Sequence, residues 1–111
     1  MQDKETVAVL IGNSDNKLSQ WEWSEFVTAT KMAITMAVSD SFGGVPWFFT
    51  GGSSYDAPYQ NACFVFEIRS GVETKKLKLR ELLSQTARDY HQESIAILAG
   101  QSELVFSGKG N

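Results

Sequence analysis

One cysteine, one histidine and two prolines are all that 111 residues supply of those types, and each scarcity excludes something. A lone thiol, Cys63, cannot close an internal disulfide, and inside an apolar run it is expected to act as a small hydrophobe. One Cys and one His cannot build a Cys/His zinc site. No cofactor or metal is expected; Asp15, Asp56 and Glu93 are oxygen donors of the kind hard cations take, but no known metal spacing joins them. Long apolar runs are missing as well. The longest, Met32 to Val38, is interrupted by Thr35 and is far too short to span a bilayer. Residues 1–6, MQDKET, lack the basic and apolar regions of a signal peptide, so the cytoplasm is the default location and no membrane partner is expected. There is no P-loop, no GxGxxG and no G-x-S-x-G elbow. A basic excess is absent too. The formal net charge is -3, which argues against duplex nucleic acid and anionic membrane as partners. The single cluster of positive charge, Lys75, Lys76, Lys78 and Arg80, reads as a solvated helix face.

What is present suffices for one core. Hydrophobic residues make up 42% and aromatics 12% of the chain, which suits one domain over residues 1–111, with ends at 1–6 and 108–111 expected to fray. Val7 to Ile11 reads as a buried strand. Ser19 followed by Glu22 matches a capping box, and the apolar stripe of Trp23, Phe26, Val27, Thr30, Ala33, Ile34, Ala37 and Val38 behind it predicts an amphipathic helix. Val45 to Thr50 and Ala62 to Ile68 read as strands. Pro46, which lacks a backbone donor, suits an edge strand. Alternation places Phe64, Phe66 and Ile68 on one side of the later strand and Cys63, Val65 and Glu67 on the other. A second helix is predicted from about Thr74 to His91, and a further strand at Ser94 to Leu98. Gly100-Gln101-Ser102 permits a hairpin into a short fifth strand, Glu103 to Phe106. The order predicts an α+β fold, a two-layer ferredoxin-like βαββαβ sandwich with two helices on one face of an antiparallel sheet.

That topology brings three loops to one pole, and those loops carry most of the chemistry. The first offers Asn13, Asp15 and Lys17. The second, long for a hairpin, offers Tyr55, Tyr59, Gln60 and Asn61. The third offers Gln92 and Ser94. Together these are the candidate ligand-binding residues. Ordinary solvated turns would also be rich in such residues. His91 is the one candidate general base, with Glu93 or Asp15 as its carboxylate. A solvent-facing histidine at a helix end is the simpler reading.

A βαββαβ chain invites comparison with the RRM, which stacks bases on aromatics of its central strands. Val9 to Asn13 and Ala62 to Phe66 resemble parts of its two motifs. Leu10 and Ala62 stand where stacking aromatics belong, and Gln60 stands where Lys or Arg should be. Phe64 alone survives of the platform, so nucleic acid is not the expected partner. Trp47, Phe49, Phe64 and Phe66 lie on neighbouring strands, and any that face away from the helices would form a patch that needs a partner.

The segments Ile11-Gly12-Asn13-Ser14-Asp15-Asn16-Lys17-Leu18, Pro58-Tyr59-Gln60-Asn61-Ala62-Cys63 and Gln92-Glu93-Ser94-Ile95-Ala96 resemble runs found in the same order in short uncharacterised proteins of bacteria and actinobacterial phages. The likeness extends from about Val7 to Phe106, with Glu93 where that group commonly has Asp. It implies a phage or mobile-element context, and it carries over no activity and no functional residue. Three functions compete. The first is a non-enzymatic module that binds a small molecule or protein partner at the pole. The second is a homo-oligomeric structural or regulatory protein that uses the open sheet face. The third is a small hydrolase or phosphoesterase built on His91 with Glu93 or Asp15.

Overall fold

In a computed structural model the described residues are 4–13, 17–40, 43–52, 60–101, 103 and 105. The elements run β1 (Glu5–Gly12), α1 (Gln20–Val38), β2 (Trp47–Gly52), β3 (Asn61–Ile68), α2 (Val72–Asp89) and β4 (Ala96–Gly100). The four strands form one antiparallel sheet in the order β2-β3-β1-β4. The chain is thus an α+β, ferredoxin-like βαββαβ fold, and β2, the strand preceded by Pro46, lies at an edge.

The first helix begins where its cap dictates. The Glu22 amide donates to Ser19 Oγ (3.2 Å), and the Ser19 amide donates to Glu22 Oε1 (2.9 Å). Two amides that would otherwise lack helical partners are satisfied reciprocally. The Ser19 amide, followed by its hydroxyl, holds the Glu22 carboxyl below its ordinary range. A lowered carboxyl stabilises the folded chain above the usual carboxylate range, and that contribution fades as pH falls through it. Ser19→Ala should therefore lower stability by about 1 kcal/mol, and Glu22→Gln should flatten the acid limb of stability. Thermal unfolding followed at pH 7 and pH 3 would read both effects.

From that start, Trp23, Phe26, Thr30, Ala33, Ile34 and Ala37 fall on the buried face of α1. They meet Val7, Val9 and Ile11 of β1 and Phe64, Phe66 and Ile68 of β3 in one core. Thr30 is fully buried without penalty because its hydroxyl donates to the Phe26 carbonyl at 2.8 Å. From α2 come Leu79 and Leu83. Tyr90 follows this helix and lays its ring against Phe26, with centroids 5.3 Å apart; burial pushes its phenol above the ordinary value.

Several boundaries differ from expectation. Glu5 and Thr6, expected to fray, pair with Ile68 and Glu67. The second helix starts at Val72 rather than Thr74 because Gly71, at φ 60°, turns the chain in the left-handed region where glycine is unstrained. That helix also ends at Asp89, which leaves His91 outside it at φ 57°. β2 and β4 each begin two residues later than read, since the ladder itself sets register: Leu10 opposes Ala96, and Gly51 and Gly52 continue to pair with Cys63 and Ala62. No fifth strand forms among the described residues: Glu103 and Val105 are not in a strand, while residues 104 and 106 lie outside the described set. The basic run serves the fold in part. Lys75 reaches Asp40 at 2.9 Å and Lys76 reaches Glu5 at 2.8 Å, tying the start of α2 to the end of α1 and to β1. Among the described residues no helix is long and apolar enough to cross a membrane.

Candidate functional site: the loop pole and the open sheet face

Pairing of Gly12 with Asn61 and of Leu10 with Ala96 brings the ends of the three polar loops to one pole. There the chain closes a latch. The Asn13 amide nitrogen donates to the Leu18 carbonyl and to Gln60 Oε1, both at 3.0 Å, and the Leu18 amide donates to Asn13 Oδ1 at 3.0 Å. The Asn13 backbone amide donates to the Gln60 carbonyl at 2.8 Å. Gln60 Nε2 in turn donates to Gln20 Oε1 at 2.7 Å, on the first residue of α1. Asn13 and Gln60 are only 1% and 3% exposed. Buried amides satisfied this completely hold loops together, and their polar atoms do not point toward solvent.

The remaining candidates are more dispersed. Lys17 is exposed beside the latch and Asn61 is exposed at the start of β3. Asp15, Tyr55 and Tyr59 lie outside the described residues. Gln92 and Ser94 line a shallow groove of about 480 Å³ between α2 and β4, together with Glu93, Arg80 and Arg88. Gln92 is anchored there by its own backbone amide to Ala87 O (2.8 Å) and by Nε2 to Tyr90 O (3.1 Å). His91 is exposed, and no hydrogen bond joins its ring to Glu93. Its charge reaches Glu22, where it is the weakest of the influences lowering that carboxyl. Among the described residues no three His, Cys, Asp or Glu side chains gather to hold a metal ion.

The sheet face turned away from the helices is the larger feature. Register places Phe49, Val65, Ala8 and Leu98 in one row across all four strands. The next row on the same face is Gly51, Cys63, Leu10 and Ala96. None of these eight side chains is charged or bears an oxygen. Phe49, Leu98 and Leu10 are 55%, 62% and 37% exposed. The Phe49 ring folds over Gly51, where a Cβ would meet it at 3.1 Å. Trp47, Phe64 and Phe66 cluster on the helix side instead, the Trp47 ring standing edge-on to Phe66 at 5.6 Å. The RRM comparison therefore fails at its surviving residue too. Phe64 is 2% exposed and in the core, so it offers no platform for a base.

A second groove, of about 360 Å³, runs between α1 and the β2–β3 hairpin. It is lined by Trp23, Val27 and Phe64 and by polar residues that include Ser24, Thr28, Lys31, Thr50 and Asn61. No family model, no curated protein and no solved structure matches the chain.

The sequence signal for the open face was the unbroken run Val7-Ala8-Val9-Leu10-Ile11. A strand with one wet face alternates apolar and polar residues, whereas this one is apolar on both faces. Such a run marks a strand covered on both sides. Among the described residues the fold supplies helices for one side only.

Proposed function

We propose that this chain is a non-enzymatic binding module whose open sheet face packs against the same face of a second copy. The two uncharged rows spanning the whole sheet carry that reading. A four-stranded sheet at about 4.8 Å per strand presents them as a band about 19 Å wide, at the scale where an exposed apolar patch signals an interaction site.

The rows are also self-complementary. Consider a two-fold axis lying between the stacked sheets, across the strands and midway between the rows. It sets each row over the other row of the partner. Leu98 then faces Ala96 and Leu10 faces Ala8, so each of these leucines meets a small side chain. Isologous interfaces have this form, in which residue i meets j and j meets i. Stacked sheets lie about 10 Å apart, so a stagger of one row puts the two Cys63 backbones about 12 Å apart. A ligand site at the pole has less to stand on, because Asn13 and Gln60 are satisfied by each other.

Sedimentation velocity from 1 to 500 μM tests the reading. The expected result is a reversible monomer–dimer shift, with dimer captured by a short bismaleimide through Cys63. A strict monomer throughout that range would overturn it.

A further inference from the structure

The groove beside β2 has its own logic, separate from the open face. We propose that it binds the C-terminal residues of an extended peptide, added as an antiparallel strand to the free edge of β2 with its terminal carboxylate at Lys31.

Three observations converge on this occupant. The first is the edge itself. β2 ends the sheet, and among the described residues nothing pairs with its outer side. Natural edges are blunted by proline and by bulges, and both devices sit at the start of this strand: Pro46 precedes it and a register shift falls between Trp47 and Phe49. From Phe49 to Gly52 the ladder is regular, so alternate amides and carbonyls remain available.

The second is that the groove lies along this unprotected part. Its residues on the strand are Thr50, Gly51 and Gly52, and its helical wall runs from Trp23 to Lys31. The nine residues from Trp23 to Lys31 span about 12 Å, and Phe49 to Gly52 span about 10 Å, so the two walls match in length at about four peptide residues. In an added strand every second side chain points to the α1 side, into a hollow floored by Ala62 and Phe64. A volume of about 360 Å³ is at the small end for ligand pockets and suits one or two apolar side chains.

The third is charge. Among the described residues the groove lining contains no Asp or Glu and one cation, Lys31. The Lys31 ammonium is held 5.3 Å over the Trp47 ring and, among the described residues, pairs with no carboxylate. It thus stands at the bulged end of β2, where strand addition must stop. β2 runs from that end toward Gly52, so an antiparallel guest arrives there with its C-terminus. Its carboxylate then meets the Lys31 ammonium.

Fluorescence anisotropy with N-terminally labelled hexapeptide pools, threonine alternating with mixed Val, Leu, Phe and Tyr, tests the proposal on the full chain. Pools with a free C-terminus are expected to bind, and amidation of the same pools should weaken binding about tenfold. In Lys31→Gln the acid and amide forms should bind alike. Thr28→Trp, which fills the groove from an exposed helix position, should abolish binding of both. Leu98→Asp on the open face should leave binding unchanged, which separates this site from the self-association above. Equal affinity of acid and amide for the unaltered chain would overturn the proposal. So would no binding by any pool up to 1 mM, or loss of binding in Leu98→Asp with retention in Thr28→Trp.

Discussion

Asn13→Ala is expected to lower the stability of the chain by about 3 kcal/mol, the largest effect of any single polar substitution at the loop pole. The side chain it removes makes three hydrogen bonds: to the Leu18 carbonyl, from the Leu18 amide, and to Gln60 Oε1. All lie at a site only 1% exposed. Alanine would leave the Leu18 amide and carbonyl and the Gln60 oxygen without those partners, and each orphaned buried group costs about 1–3 kcal/mol. A small cavity adds to the cost, while water entering from the nearby surface offsets part of it. For a domain of this size such a loss is a substantial share of total stability and lowers Tm by about 10–20 °C. Urea unfolding and calorimetry would measure it. Gln60→Ala should cost less, because the Asn13 side chain keeps both bonds to Leu18. If Asn13→Ala and Gln60→Ala are additive in the double variant, the latch is not one network and its description here fails.

Leu98→Asp is expected to weaken self-association at least a hundredfold while leaving the monomer folded. Leu98 is 62% exposed on the sheet face turned away from the core, so the folded chain tolerates a charge there. Across the proposed interface the same carboxylate would be buried over Ala96 with no counter-charge, and an unpaired charge is strongly unfavourable in an apolar contact. A size swap tests the direction of the two-fold axis. Ala96→Leu alone puts leucine against leucine and should weaken the dimer. Leu98→Ala with Ala96→Leu exchanges large and small on both sides and should restore it. Were the axis parallel to the strands instead, each row would face itself, and the swap would give no rescue.

How far the sequence alone reached can be judged element by element. The capping box at Ser19 and Glu22 located the start of α1 to the residue, since a cap is a local interaction between groups three positions apart. The stripe along α1 and the alternation in β3 identified the buried side chains, because helical and strand periods are intrinsic to the backbone. Pro46 marked β2 as an edge for the same local reason: it has no amide to donate. Element order then brought the three loops to one pole, given the short connections and antiparallel pairing.

Other features depend on what meets across the fold. Asn13 and Gln60 read as ligand-binding residues because both are polar and loop-borne; only the approach of Leu18 and Gln20 turns them into a buried latch. Phe64 read as the last of an aromatic platform because its neighbours match a motif, but the pairing of β3 with β1 aims it at the core. The starts of β2 and β4 were misplaced by two residues, since strand propensity is weak and register is set by the partner strand. Most of all, Ala8, Leu10, Cys63, Val65 and Leu98 announce strands apolar on both sides, but nothing in the order of residues states which side the helices will cover. That choice belongs to the handedness of the crossovers, and it leaves two uncharged rows in the open.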